Sequence, residues 1–194
     1  GYSLVWSGQY EFMERVRERL KIFVPLTIAI IFVLYFFTFR SVTETMIIML
    51  SVPFAMVGGI WSVFLLGYNM SIAVWVGFIA LLGIAVETGS VMLTYLDEVY
   101  ERRKKEQKMT SLEDLYHAVR EGAAPRIRPI LMTVTANIFG LVPVMWSTGT
   151  GADVMKRIAA PVMGGLTSSM VLTLVVLPAV YVIWKGDWGM KRKK

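Results

Sequence analysis

The chain has 194 residues, 56% of them hydrophobic, with a net charge of +6, one histidine and no cysteine. Without cysteine there are no disulfides, no thiolate catalysis and no cysteine metal sites, and His117 alone cannot build a histidine zinc or copper cluster. A mean hydropathy of +0.59 and five apolar runs, each of about 18 residues or more and so able to cross ~30 Å of hydrocarbon, predict an all-α integral membrane chain.

Gly1-Tyr2-Ser3 opens the chain without an initiator Met, which reads as a fragment or processed product. Tyr2 to Trp6 alternates like a strand whose sheet partners are absent, and a lone strand is not stable. Up to residue 21, Phe12, Val16 and Leu20 recur at helical spacing among Glu11, Glu14, Arg15 and Arg17. That pattern predicts an amphipathic approach helix on the membrane surface, leading directly into the first span.

Residues 22–96 hold three spans, at about 22–39, 45–66 and 72–96. Pro53 and Gly58-Gly59 permit a kink and close helix approach in the second. The short link Gly67-Tyr68-Asn69-Met70 predicts that spans two and three are antiparallel neighbours. A charged connection covers 97–128. Its Ser111-Leu112-Glu113-Asp114 resembles a capping box, and Leu112, Leu115, Tyr116 and Val119 form an apolar face. The expectation there is a short helix over 110–121 lying on the membrane surface. Residues 129–184 hold spans four and five, at about 129–146 and 158–184, and 185–194 form a basic tail.

Fourteen of the twenty Lys and Arg fall on the side that holds Arg40, the long connection and the tail. Because basic residues stay cytoplasmic, the C-terminus is expected in the cytoplasm and the N-terminus on the far side. The charge therefore reports topology rather than nucleic-acid binding.

Glu87 is read as the only acid inside the five apolar runs, within Gly83-Ile84-Ala85-Val86-Glu87-Thr88-Gly89-Ser90. It stands about 13 Å along the helix from Leu96, near mid-bilayer, where an ionised carboxylate costs at least ~2.5–3.5 kcal/mol. Desolvation there favours the neutral acid, so such a group can load and release protons, as a proton-coupled transporter requires. The alternative is a permanently protonated structural acid bonded to a neighbouring helix. Stepping by three or four residues puts Ala80, Gly83, Glu87, Ser90 and Thr94 on one small and polar stripe. In span four, Thr133, Asn137 and Gly140 share a face, and Asn137 is either a relay neighbour of Glu87 or an ordinary interhelical hydrogen bond.

Thirteen methionines raise Cu(I) chemistry, since thioethers are soft ligands, but most read as apolar filler. Met155 differs, standing at the entrance to span five after Gly149-Thr150-Gly151; one thioether alone does not make a site. His117 is expected to be solvated. No metalloprotease, paired-aspartate, Ser-His or nucleotide-loop pattern is present, so enzyme readings fail, and no cofactor is expected.

Several motifs together resemble one family. They are Trp6-Ser7-Gly8-Gln9-Tyr10-Glu11, Leu50-Ser51-Val52-Pro53-Phe54-Ala55, Arg126-Ile127-Arg128-Pro129-Ile130-Leu131-Met132-Thr133, Arg157-Ile158-Ala159-Ala160-Pro161 and Leu177-Pro178-Ala179-Val180-Tyr181. In this order they resemble the C-terminal membrane half of a resistance-nodulation-division (RND) efflux pump of the heavy-metal branch. The resemblance implies the last five of twelve spans, with residues 1–21 leaving a periplasmic porter domain. It implies proton-driven export across the inner membrane, a homotrimer, and a periplasmic membrane-fusion adaptor with an outer-membrane channel as partners.

Glu87 and Met155 match the copper/silver subgroup, which implies Cu(I)/Ag(I) as cargo and Met155 as a relay thioether; with the reading of the residues this gives Glu87 as proton carrier and Thr94 and Asn137 as its hydrogen-bonding neighbours. Some relatives carry a Lys after the Arg-Pro of span four, where this chain has Ile130, and the family's other relay acid, an Asp, lies in the N-terminal half. Rival readings are an exporter of divalent Zn/Co/Cd or organic compounds, and a non-transporting membrane scaffold.

Overall fold

A computed structural model describes residues 9–109 and 111–191; the strand expected at Tyr2–Trp6 and the last residues of the tail lie outside them. The described residues are helical: α1 (Gln9–Phe39), α2 (Val42–Met49), α3 (Ser51–Leu65), α4 (Ile72–Lys105), α5 (Leu112–Trp146), α6 (Ala152–Val171) and α7 (Leu177–Lys191). A π-helical turn, Leu172–Val176, joins α6 to α7. Five segments are long and apolar enough to cross a membrane: Glu14–Phe39, Val42–Leu65, Ile72–Lys105, Leu112–Trp146 and Ala152–Gly186. The expected five-span, all-α architecture is present.

The chain divides into two compact units, 1–45 and 46–194. In the first, the approach segment and the first span are one helix. Residues 9–21 contain no Gly or Pro, so nothing breaks α1 where the sequence changes from charged to apolar. The helix closes at Arg40, whose left-handed backbone (φ 52°) lets its N–H donate to the Phe36 carbonyl at 2.8 Å.

The expected kink in the second span is a break at Leu50 between α2 and α3. Pro53 has no N–H to give the Met49 carbonyl, and the helix interrupts there.

In the second unit, α6 is the hub that packs on α3, α4 and α5. Glycines make this possible. A Cβ at Gly58 would overlap Ser168 and the Gly164 carbonyl, and one at Gly77 would lie 2.6 Å from Pro161 Cγ. Side-chain hydroxyls bridge the seam: Ser62 donates to the Ala160 carbonyl at 2.7 Å and Ser168 to the Phe54 carbonyl at 3.0 Å. Small residues let membrane helices approach closely enough for dispersion contacts and such bonds, which replace the hydrophobic drive that lipid removes.

The separate surface helix expected over 110–121 is instead the first part of α5. Ser111 caps it, accepting from the Asp114 N–H at 3.2 Å while its own N–H donates to Asp114 at 2.9 Å. From there the helix runs unbroken past Pro125 and Pro129. Packing on α4 carries it through: Gly122 sits against the Leu96 backbone, and the Arg126 guanidinium lies 3.1 Å from the Tyr95 ring centroid. With 34 and 35 residues, α4 and α5 are each about 50 Å long and outreach the ~30 Å hydrocarbon core. Their projecting ends form a hairpin in which Arg102 and Arg103 both grip Glu121. The basic tail likewise starts as helix, since α7 continues to Lys191.

Candidate functional site

α4 has two unlike faces. One buries Gly77, Phe78, Leu81, Ala85, Gly89 and Met92 in the bundle. The other presents the small and polar stripe: Ala80, Gly83, Glu87 and Thr94 are exposed and Ser90 half-buried. A Cβ at Gly83 would meet nothing within 4 Å. The stripe expected to face a polar interior thus faces away from α3 and α6, and Glu87 sits near the middle of α4 on that open face.

The hydroxyls along the stripe are turned onto their own helix. Ser90 donates to the Glu87 carbonyl and Thr94 to the Ser90 carbonyl, each at 2.8 Å. Thr94 therefore shares the face of Glu87 but bonds the backbone one turn closer. Asn137, on α5, is half-buried, with Thr133 and Gly140 exposed on the same helix. Among the described residues, no hydrogen bond joins Asn137 to Glu87, and the Glu87 carboxyl has no ion-pair partner. Ile130 is 5% exposed, packed into the bundle.

Met155 lies in the first turn of α6 and is 53% exposed. The turn before it uses Gly149 (φ 136°) and Gly151 (φ 85°), backbone angles that favour glycine. Its position at the helix start is as expected, with the thioether open to its surroundings. His117 is exposed, also as expected.

Two features escaped the sequence reading. Glu44 is a buried acid in a spanning segment, 6% exposed in the first turn of α2, because that helix begins three residues earlier than the 45–66 span implied. A helix N-terminus favours such a charge. The other is a cluster at the end of the bundle that carries Lys105. There the Tyr181 hydroxyl donates to Asp97 Oδ1 at 3.0 Å and Lys185 Nζ stands 3.1 Å from the same oxygen. It joins residues far apart in sequence, so no local pattern announces it.

The model of the AcrB/AcrD/AcrF family matches residues 1–185. The chain belongs to this family. It is 46% identical over 95% of its length to the cation efflux system protein CusA of Escherichia coli (strain K12), and 45% identical over its full length to SilA of Salmonella typhimurium. The cobalt-zinc-cadmium resistance protein CzcA of Cupriavidus metallidurans is 40% identical over 93% of the chain. A crystal structure of a heavy metal efflux pump superposes on 92% of the chain with a TM-score of 0.78 and 36% identity. The chain spans 18% of the length of CusA and of SilA, and 17% of the pump structure. As a member of the family it is a multi-pass membrane chain.

Proposed function

We propose that the chain is the last five-span portion of a proton-driven exporter of Cu(I) and Ag(I), with Glu87 as the proton carrier. The observation that supports this most is the placement of Glu87. It lies near the middle of a spanning helix, on a polar stripe that α3 and α6 leave uncovered. An acid at that depth is costly unless it faces a polar interior or a partner. In a longer protein the open face of α4 meets the other spans, which would enclose Glu87 and supply its partners.

Asn137 and Thr94 take the role of polar neighbours of that interior, Asn137 from α5 and Thr94 from the same stripe. Met155, exposed at the mouth of α6, offers its thioether to a soft cation on its way out. Cargo preference is supported by the higher identity to CusA and SilA than to CzcA, beside the resemblance carried by Glu87 and Met155. The same reading places the pump in the inner membrane, with the Lys105 end cytoplasmic and the N-terminus periplasmic. It gives the pump a homotrimer, a membrane-fusion adaptor and an outer-membrane channel.

The test is metal tolerance in a host lacking its own exporters, using the pump-length protein that carries these residues. The wild type should raise tolerance to copper and silver, and Glu87→Gln should abolish the gain at equal protein level. Tolerance raised only to zinc, cobalt or cadmium would move the cargo to the divalent class, and no tolerance to any metal would favour a scaffold.

A further inference from the structure

The cluster at the Lys105 end does more than close the bundle. Asp97 on α4 accepts from Tyr181 on α7 and pairs with Lys185 on the same helix. Lys185 Nζ lies 4.3 Å from the Trp184 ring centroid and 4.6 Å from that of Tyr100, and Tyr100 meets Tyr181 edge-on. Lys104 stands at the rim, 5.8 Å from the Tyr100 centroid. Tyr181 is fully buried and the Lys185 side chain is 15% exposed. The Asp97 side chain is 28% exposed, so the pair is partly screened, but with the Tyr181 hydroxyl on the same oxygen it ties α4 to α7 by two bonds.

The opposite end of α7 is built differently. The turn Leu172–Val176 carries the wider π ladder, with the Leu177 N–H reaching back to the Leu172 carbonyl. Pro178 follows with no N–H to donate and a ring that crowds the preceding turn, which the wider ladder relieves. The hydroxyls of Ser169 and Thr173 are buried at this turn without a hydrogen-bond partner among the described residues. An interrupted ladder with unsatisfied polar groups is a weak point in an otherwise continuous helix. α7 therefore has a soft joint where it leaves α6 and a charged clamp where it meets α4.

Asp97 is ten residues beyond Glu87 on α4, about 15 Å along the axis. We propose that Asp97, through Lys185 and Tyr181, is a positioning residue for Glu87. The clamp sets the rotation and axial height of α4, and α7 follows α4 by bending at the π turn when the carboxyl changes charge. This rests on the proton-carrier reading of Glu87.

The experiment uses the pump-length protein in proteoliposomes, reading Cu(I)-dependent proton flux against pH for the wild type, Glu87→Gln, Asp97→Asn, Asp97→Glu and Lys185→Met. Loss of the clamp should lower flux about tenfold at equal protein content and shift the pH of half-maximal flux, as expected for a residue that biases a two-state element. Asp97→Glu should recover most of both. Wild-type flux and pH midpoint in Asp97→Asn would overturn the proposal, and so would reduced flux with an unmoved midpoint, which marks a purely structural contact. If Glu87→Gln keeps full flux, the carrier reading itself falls, whatever Asp97→Asn does.

Discussion

Gly58 on α3 and Gly164 on α6 face one another so closely that each excludes a side chain on the other. A Cβ at Gly164 would lie 2.5 Å from the Gly58 carbonyl oxygen, and a Cβ at Gly58 would overlap the Gly164 carbonyl in return. Because the obstacles are backbone atoms, no rotamer change relieves them. The consequence is that α3 and α6 are locked at a spacing only glycine permits, and α4 packs against both, with Leu81 beside Gly59 and Gly165.

Gly58→Leu should therefore disrupt this seam, costing about 1–3 kcal/mol or more by overpacking. Val57→Leu, on the neighbouring exposed position, should stay within about 0.5 kcal/mol. Denaturation in detergent, followed by circular dichroism, compares the two. Equal stabilities would mean that the close approach is not a constraint.

The capping box of α5 gives a second expectation. Ser111 and Asp114 satisfy one another's backbone N–H groups, and replacing Ser111 by Ala should cost about 1 kcal/mol at that helix end. Amide exchange should accelerate over the first turn of α5 and leave the membrane-spanning amides unchanged. Uniform exchange across α5 would show that packing, rather than the cap, starts the helix.

Glu106 carries a pH signature beyond the end of α4. Its carboxylate accepts from Lys108 Nζ at 2.7 Å, and this hydrogen bond, then the Lys108 charge, hold its titration below the usual glutamate range. In the unfolded chain the carboxyl titrates in the usual range. The contribution is thus complete above that range and is lost as pH falls through the lowered folded value. Being exposed at the end of the helix, Glu106 affects only the local turn. An NMR titration should find its midpoint depressed, and Lys108→Met should raise it; an unmoved midpoint in the variant would contradict the pairing.

The apolar runs made the five spans readable because a membrane segment must satisfy its own backbone. Pro53 and the Ser111 capping box likewise act locally, and the break at Leu50 and the start of α5 followed. Periodicity told which residues share a face with Glu87, but not that this face looks away from α3 and α6. That depends on which side of α4 carries Gly77, Leu81 and Gly89, a matter of tertiary packing. The helical continuity of α5 past Pro125 and Pro129 was hidden for the same reason, since Gly122 and Arg126 hold it against α4. The Asp97–Tyr181 bond had no local signal at all.

Met155 has a simple test. Met155→Ile keeps the apolar volume and removes the thioether, so helix stability should not change while Cu(I)/Ag(I) tolerance falls severalfold. Growth of cells carrying the pump-length variant on silver, set against its abundance on an immunoblot, reads this directly. Unchanged tolerance would return Met155 to an ordinary surface methionine.

The central claim is that Glu87 carries the transported proton. The most direct measurement is Cu(I)-driven proton flux in proteoliposomes holding the pump-length protein, with Glu87→Gln beside the wild type. The account predicts flux at the level of protein-free vesicles for Glu87→Gln, with the variant still folded; flux equal to the wild type would contradict it.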